Sequence, residues 1–394
     1  MKPLLVSVLP RPAHPTRDGL AIRNYHLLAG LAREFRMTGF ALVPPHLRGT
    51  GEYPAGVEIE EIPHGARLAR RAAAAAASVL SRRAYPSLLY RSSTLEARLQ
   101  ERVRKERPSW IVAHSYHVGE SVLSAGAPAW IDFHNVDSEI WRRLGQSSSS
   151  VPARVFTRWQ ASRVELVERG LLARASGASC VSERDALALG SFGGVSPLVV
   201  PNGVDLERYV FRPEPVGEEV VSFVGDLAWP PNAEGIRWFF RDIWPRILRL
   251  RPSARGEIRG RGTPRDLARG RPDGVVLLGE TGDTRPFWAR AAVAVVPLRA
   301  GGGTRLKILE AAACGVPVIS TSIGAEGLGF VEGMDIVLRD DAESFARAVA
   351  SLLSDPEGRR RQAMAARARV ERGFAWREIA GAFARELLKR RKDA

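Results

Sequence analysis

The stretch AVAVVPLRAGGGTRLKILEAAACGVPVIS (292–320) decides the fold, because strand-like and helix-like segments alternate within it. Its first part, AVAVVP (292–297), is an apolar run of the length that buried strands have. A glycine-rich loop follows, then a segment rich in leucine and alanine, and then the apolar run VPVIS (316–320). A strand, a helix and a second strand in this order predict a βαβ unit with parallel strands.

The same alternation continues on both sides of this stretch. Apolar runs of strand length recur with helical segments between them: LLVSVL (4–9), MTGFALV (37–43), VEIEEI (57–62), SWIVA (109–113), PAWIDF (128–133), GASCV (177–181), VVSFVG (220–225), GEIRG (256–260), VVLLG (275–279) and DIVL (335–338). Apolar runs of this kind are typical of strands buried on both faces of a parallel sheet. The chain is therefore predicted to be an α/β protein with two doubly wound, Rossmann-like domains.

The two domains are expected to meet in the segment PLVVPNGVDLERYVFRPEPVGEE (197–219), where proline, glycine and charged residues interrupt the pattern. We predict a first domain over 1–198 and a second over 199–373. The last helix, within 374–394, carries an apolar stripe at i, i+4 spacing. We expect this helix to pack back on the first domain.

Composition excludes several classes of protein. The chain has 394 residues and only two cysteines, too few for a disulfide scaffold or a zinc-binding cluster. It contains no signal-peptide pattern and no apolar stretch long enough to span a bilayer, which predicts a cytoplasmic protein. Its formal net charge of +15 fits an anionic partner such as nucleotide phosphates or acidic lipids, but a genomic bias toward arginine explains it equally well.

The glycine-rich loop after AVAVVP has the composition of an anion site. Gly301, Gly302 and Gly303 allow close approach of the backbone to a ligand, and the helix that follows directs its N–H groups toward the loop. Arg305 and Lys307 lie at the start of this helix, where positive charge opposes the helix dipole. An anion such as a phosphate would relieve that conflict.

Glu310 lies on the same predicted helix. A carboxylate there can accept paired hydrogen bonds from the vicinal hydroxyls of a ribose. Taken alone, a helix glutamate of this kind is as readily explained as a solvated or lysine-paired side chain.

The chain resembles the family-four nucleotide-sugar glycosyltransferases, and especially the bacterial sugar transferases of exopolysaccharide clusters. The resemblance rests on the loop and helix of 301–320 and on four further segments: IDFHNVDSE (131–139), VVPNGVDLERY (199–209), VVSFVGDLAWPPNAEGIRWF (220–239) and LLGETGDTRPFWARAAVAVVPL (277–298). It implies the GT-B fold, in which two Rossmann-like domains face each other across an active-site cleft.

The resemblance also implies roles for individual residues. Arg305 and Lys307 would hold the donor diphosphate, Glu310 the ribose, and His134 the transferred sugar. The expected donor-binding set is completed by Gly19, Gly225, Gly301, Gly302, Gly303 and Thr304. His114 and His117 are expected on the acceptor side.

Two positions depart from the family pattern. Family members often carry a glutamate that contacts the sugar eight positions before the ribose glutamate, where this chain has Gly302. Many relatives also place an arginine and a lysine in the segment that reads LAWPPN (227–232) here. The charge on the diphosphate should therefore fall mainly on Arg305 and Lys307.

The resemblance predicts a retaining glycosyltransferase of the hexosyltransferase type that uses a nucleotide diphosphate sugar and a glycan or lipid-linked acceptor. Because no Asp-x-Asp pair occurs, we expect neither a metal nor a cofactor.

The segment 67–91, an alanine-rich helix with arginines at both ends, is either a solvated helix or a peripheral contact with a membrane. A nucleotide-sugar epimerase on the same fold and a non-catalytic polyanion-binding protein remain the alternatives, while no nucleic-acid reading module is evident.

Overall fold

A computed structural model of the chain describes residues 2–13, 18–49, 52–65, 68–81, 83–147, 151–212 and 218–391. The chain divides into two compact units. Unit 1 comprises Met1–Pro201 and Arg377–Ala394, and unit 2 comprises Asn202–Trp376. Each unit is built on a parallel sheet with helices between successive strands, which confirms the predicted fold class.

Unit 1 contains a seven-stranded parallel sheet in the order β3-β2-β1-β4-β5-β6-β7. Its strands are β1 (Leu4–Leu9), β2 (Arg36–Val43), β3 (Val57–Pro63), β4 (Trp110–Ala113), β5 (Ala129–Asp132), β6 (Gly177–Cys180) and β7 (Leu198–Val199). Its helices are α1 (Gly19–Glu34), α2 (Leu68–Leu80), α3 (Tyr85–Tyr90), α4 (Ser93–Glu106), α5 (Gly119–Leu123), α6 (Asp137–Ser147), α7 (Val151–Arg174) and α8 (Glu183–Gly190). Every residue of β1, β4, β5 and β6 is buried, as the apolar runs predicted.

Unit 2 contains a six-stranded parallel sheet in the order β10-β9-β8-β11-β12-β13. Its strands are β8 (Val220–Val224), β9 (Arg255–Arg259), β10 (Val275–Leu277), β11 (Val293–Val296), β12 (Val318–Ser320) and β13 (Val337–Leu338). Its helices are α9 (Pro230–Trp238), α10 (Trp244–Leu250), α11 (Arg265–Arg269), α12 (Arg285–Trp288), α13 (Leu306–Cys314), α14 (Ser322–Ala325), α15 (Ala342–Ser354) and α16 (Pro356–Gly373). Among the described helices of both units, none is both long and apolar enough to cross a membrane.

The final helix, α17 (Trp376–Arg390), packs against the sheet of unit 1. Trp110 in β4 donates a hydrogen bond from its indole nitrogen to the carbonyl of Leu387 at 2.9 Å. Phe383 lies edge-on to the Trp130 ring, with 5.7 Å between the ring centroids. Gly30 in α1 permits close approach, because a Cβ atom there would lie 2.2 Å from the Cβ of Ala380.

Strand order reverses once in each sheet. In unit 1, β1 lies between β2 and β4, and in unit 2, β8 lies between β9 and β11. Ligands of doubly wound sheets bind beyond the carboxyl ends of the strands at such points. The residues that follow β8 and β11 therefore lie where a ligand of unit 2 is expected to bind.

Candidate functional site

The loop between β11 and α13 is shaped by glycines and by one arginine. Gly301 and Gly303 have φ values of +127° and +66°, a region that other residues rarely adopt. The Arg305 guanidinium donates to the carbonyls of Gly302 and Gly303, the latter at 2.6 Å. The helix begins at Leu306 with Arg305 as its N-cap residue, so Arg305 lies just before the first turn rather than within it. These contacts fold the loop over the positive end of α13.

Lys307, in the first turn of α13, has uncharged groups around its ammonium. Its Nζ donates to Oδ1 of Asn232 at 2.9 Å and lies 4.0 Å from the centroid of the Phe223 ring. A side chain at Gly225 would collide with it, since a Cβ atom there would lie 2.8 Å from Nζ. Burial, aided by the charge of Arg305, lowers the pKa of Lys307 well below its ordinary value, against the opposing effect of Glu310. A bound anion would stabilise this cation.

The sequence interpretation did not identify Asn232, Asp226 or Arg261 as parts of this site. Asn232 accepts from Lys307 and also donates from Nδ2 to the carbonyl of Asp226 at 2.8 Å. Arg261, beyond the end of β9, donates to Oδ2 of Asp226 from two nitrogens at 2.9 and 2.7 Å. The only signal in the sequence was their position after β8 and β9, at the edge where strand order reverses.

Glu310 is buried on α13, and its Oε2 atom accepts two hydrogen bonds. Thr284 Oγ1 donates at 3.1 Å and the indole nitrogen of Trp288 at 3.2 Å. Tyr209 extends the network, because its hydroxyl lies 2.9 Å from Thr284 Oγ1. Burial raises the pKa of Glu310, while the hydrogen bonds from Trp288, Thr284 and Tyr209 oppose that shift. The side chain is thus fixed in place by neutral donors.

Thr304, the remaining residue of the expected donor-binding set on this loop, is buried together with Asn202. Asn202 donates from Nδ2 to Thr304 Oγ1 at 2.8 Å. Its amide therefore anchors the last part of the loop within unit 2.

His134 of unit 1 follows β5 and lies beside a buried ion pair. Its Nε2 is 3.2 Å from Oδ2 of Asp132, in an orientation that does not make a hydrogen bond. Asp132 is held by Arg23, which donates from Nε at 2.9 Å and from Nη2 at 2.7 Å, and by the hydroxyl of Ser179 at 2.7 Å. Burial lowers the pKa of His134 although the carboxylate opposes it. The imidazole is therefore predominantly neutral near pH 7.

The other expected residues of unit 1 have different environments. His114 is completely buried, with Nε2 3.1 Å from Ser7 Oγ, so contact with a ligand would require its neighbours to move. His117 is half-buried, with Nδ1 2.6 Å from Ser115 Oγ. Burial lowers the pKa of His114 to about 4 and that of His117 to about 3. Gly19 is exposed as the first residue of α1.

Two family models match this chain. The model described as "Glycosyltransferase Family 4" matches residues 17–208, and the one described as "Glycosyl transferases group 1" matches residues 218–355. Two Rossmann-like units, each built on a parallel sheet, have the architecture of the GT-B fold. The chain belongs to the family-four glycosyltransferases, which confirms the resemblance seen in the sequence.

Curated relatives match over part of their length. A glycogen synthase of Mycobacterium tuberculosis is 32% identical over 203 residues, 48% of each chain. A D-inositol 3-phosphate glycosyltransferase of Kineococcus radiotolerans is 32% identical over 217 residues, 45% of this chain and 48% of that one. A 44.6 kDa protein of the Klebsiella pneumoniae cps region is 27% identical over 136 residues, 32% of this chain and 35% of that one. The chain thus spans about half or less of the length of these relatives.

Solved structures share the fold at low sequence identity. A sucrose-phosphate synthase from Thermosynechococcus elongatus has a TM-score of 0.73 and 18% identity, covering 98% of this chain and 99% of that one. The Anabaena protein HepE, solved with UDP and glucose, has a TM-score of 0.70 and 15% identity, covering 98% and 100%. The likeness extends over nearly the whole chain, so it confirms the GT-B fold class.

The environment of Lys307 predicts how Lys307→Met changes the ligand-free protein. A lysine whose pKa is lowered on folding decreases the free energy of unfolding, and the decrease is complete at any pH below that lowered pKa. The decrease vanishes as pH rises to 10.5, the ordinary pKa of lysine. We therefore expect the variant to have a higher free energy of unfolding than the wild type near pH 6, with the difference shrinking toward pH 10. Urea unfolding at several pH values measures it.

The exposed Lys389 of α17 supplies the control, because Lys389→Met should leave stability nearly unchanged at every pH. A lower free energy of unfolding for Lys307→Met, independent of pH, would show that the ammonium is a stabilising structural group.

Proposed function

We propose that this chain is a retaining glycosyltransferase that moves a sugar from a nucleoside diphosphate sugar to a glycan or lipid-linked acceptor. The observation that carries the proposal is the arrangement around α13, where Arg305 and Lys307 lie at the positive end of a helix. Lys307 contacts an amide oxygen and an aromatic ring, and the Glu310 carboxylate opposes the lowering of its pKa without forming an ion pair with it. A diphosphate supplies the negative charge that this arrangement needs.

The donor class is supported by the neighbours that share the fold. HepE has been solved in complex with UDP and with UDP-glucose. Glu310 adds a feature suited to the nucleoside, since its fixed, buried carboxylate can accept hydrogen bonds from two ribose hydroxyls. A phosphate site and a ribose site on one helix fit a nucleotide better than they fit free phosphate or an extended polyanion.

In the proposed reaction the bond between the anomeric carbon and the diphosphate oxygen breaks, and a bond from the acceptor oxygen forms on the same face of the sugar. The acceptor proton passes to the departing diphosphate, so the chain need not supply a base. Lys307 and Arg305 stabilise the negative charge that develops on the leaving group. Neutral His134, beside the ion pair of Asp132 and Arg23, contacts the transferred sugar.

We propose that transfer requires no divalent metal, because cations of the chain itself lie where a metal would otherwise neutralise the diphosphate. The rate of transfer in excess EDTA tests this. Loss of activity that magnesium or manganese restores would assign the diphosphate to other ligands.

A cytoplasmic location, with peripheral contact at a membrane surface, completes the proposal. Cys180 and Cys314 are both buried as free thiols, which suits a reducing compartment. Burial raises the pKa of each thiol to about 12, so neither is reactive at neutral pH.

A thermal-shift panel with UDP, GDP, ADP and CMP tests the function. A ligand at 100 times its dissociation constant adds about 2.7 kcal/mol to the free energy of unfolding, so one nucleoside diphosphate should give a clear shift. The Lys307→Gln variant should lose most of it. If no nucleotide stabilises the protein while duplex DNA binds tightly and is released by moderate salt, the chain is a polyanion-binding protein instead.

Glu310→Gln should weaken binding of the ribonucleotide that the panel identifies by roughly 10- to 100-fold, since charge-assisted hydrogen bonds contribute about 1.5 to 3 kcal/mol. Binding of the 2′-deoxy nucleotide should fall much less. Titration calorimetry with both nucleotides measures the ratio, and Glu343→Gln, on the exposed face of α15, is the matched control. An unchanged ratio of ribose to deoxyribose affinity would make Glu310 a structural residue.

His134→Ala should lower turnover by a hundredfold or more while leaving nucleoside diphosphate affinity within about twofold of wild type, because the proposed contact is with the sugar. Initial rates at saturating donor give turnover, and the thermal shift with nucleotide reports folding and donor binding in the same sample. Wild-type turnover in this variant would remove His134 from the active site.

A further inference from the structure

The end of α2 and one face of α7 together expose an unusual amount of apolar surface. We call this the α2–α7 surface and define it by Val79, Leu80, Val151, Val155 and Leu166. Leu80 is 89% exposed, and the other four are between 58% and 64% exposed. Isolated exposed apolar residues are ordinary, whereas a group on two adjoining helices marks a contact surface.

The end of α2 is held firmly against α7, so Leu80 is presented by a fixed structure. Gln160 of α7 donates from Nε2 to Ser78 Oγ at 3.0 Å and accepts from the backbone N–H of Tyr85 at 2.9 Å. Arg163, one turn further along α7, donates to the carbonyls of Ser81 at 2.6 Å and Arg83 at 3.2 Å. These bonds join the two parts of the surface into one rigid platform.

On α7 the exposed apolar residues follow helical spacing. Val151, Val155, Trp159 and Leu166 are separated by four, four and seven residues, which places them on one stripe. Trp159 is half-buried beneath the guanidinium of Arg163, whose Cζ lies 3.5 Å from its ring centroid. The tryptophan thus lies between the stripe and the bonds to α2. Aromatic rings of this kind are favoured at membrane–water interfaces.

Exposed arginines flank this stripe, and acids are missing from all of it except the end at Leu166, where Glu165 is paired with Arg169. Arg71, Arg83, Arg154 and Arg158 are exposed on α2, on the turn after it and on α7. The sequence has no Asp or Glu from 62 to 95 or from 140 to 164. The acids that flank these two stretches have partners of their own: Glu61 accepts from the backbone N–H of Gly49 and from the Tyr53 hydroxyl, and Glu96 pairs with Arg91, Glu139 with Arg184 and Glu165 with Arg169. The surface therefore combines apolar side chains with uncompensated positive charge.

We propose that the α2–α7 surface binds the headgroup region of an anionic lipid bilayer. Apolar side chains would enter the interface while the arginines contact lipid phosphates, and both contributions add to binding. A second copy of the chain fits less well, because two such surfaces would bring like charges together. This inference deepens the proposed function, because a lipid-linked acceptor would be bound at the surface of the bilayer. Only the identity of the acceptor rests on the proposed function, whereas binding to the bilayer does not.

Sedimentation of the full chain with vesicles tests the proposal. The wild type should bind vesicles of phosphatidylcholine with phosphatidylglycerol and not vesicles of phosphatidylcholine alone. The variant Arg154→Ser/Arg158→Ser removes two arginines that would lie near the anionic surface. Because each such arginine strengthens binding, the variant should lower the partition coefficient between vesicles and solution roughly 30-fold. Leu80→Ser/Val155→Ser leaves the charge unchanged and should lower it about tenfold or more.

Two control variants match these changes elsewhere on unit 1. Arg33→Ser/Arg104→Ser removes the same charge from α1 and α4, and Leu187→Ser removes a leucine that is 78% exposed on α8. Both controls should bind vesicles within about twofold of wild type.

Several results would overturn the proposal. The proposal is wrong if the wild type does not bind anionic vesicles. It is also wrong if the test and control arginine variants lose vesicle binding equally, because that result would mean a general attraction between the basic protein and polyanions. A dimer in analytical ultracentrifugation that dissociates in Leu80→Ser/Val155→Ser would assign the surface to a second copy. The nucleotide thermal shift depends on the proposed donor site in unit 2 and not on the α2–α7 surface, so it distinguishes failure of this inference from failure of the proposed function.

Discussion

The buried pair of Arg23 and Asp132 is the interaction on which unit 1 depends most. Neither side chain has any exposed surface, and two parallel hydrogen bonds join them. Arg23 also donates to the carbonyls of Val200 at 2.8 Å and Pro201 at 3.2 Å. One guanidinium therefore connects α1, the end of β5 and the segment after β7. Removing either partner would leave an uncompensated buried charge, which typically costs about 3 to 5 kcal/mol. His134 lies next to this pair, with its Nε2 3.2 Å from the carboxylate that Arg23 fixes.

Unit 2 has the opposite kind of electrostatics at the corresponding edge of its sheet. In unit 1 the buried charges of Arg23 and Asp132 neutralise each other, whereas Lys307 brings positive charge to the start of α13. A site that is electrostatically satisfied in the free protein offers little to a charged ligand. A buried cation without a counter-charge binds an anion by removing its own penalty, and this asymmetry is the physical reason for proposing that the diphosphate binds to unit 2.

The strands could be predicted from the sequence because they depend on local pattern, and short apolar runs are visible without knowledge of their partners. The glycines of the loop before α13 indicated a backbone that other residues rarely adopt, and Gly301 and Gly303 do have positive φ values. The partners of the site residues could not be predicted in the same way. Arg23 and Asp132 are 109 residues apart, and Lys307 and Asn232 are 75 apart. Such pairs follow from strand order, which periodicity does not specify. The two-residue strand β7 was also missed, because it lies in the segment interpreted as the boundary between domains.

The departures at LAWPPN and the position of Lys307 have one common explanation. In the segment LAWPPN, where many family members carry an arginine and a lysine, this chain has Asn232, and the ammonium of Lys307 reaches that side chain from α13. Gly225 leaves the space for it, since any side chain there would meet Nζ. Asp226, just before that segment, binds Arg261 from the neighbouring strand end. Positive charge therefore lies at this edge of the sheet although LAWPPN contains no cation, because Lys307 comes from α13 and Arg261 follows β9. The carboxyl ends of parallel strands meet at one edge, so cations that follow different strands can face the same ligand.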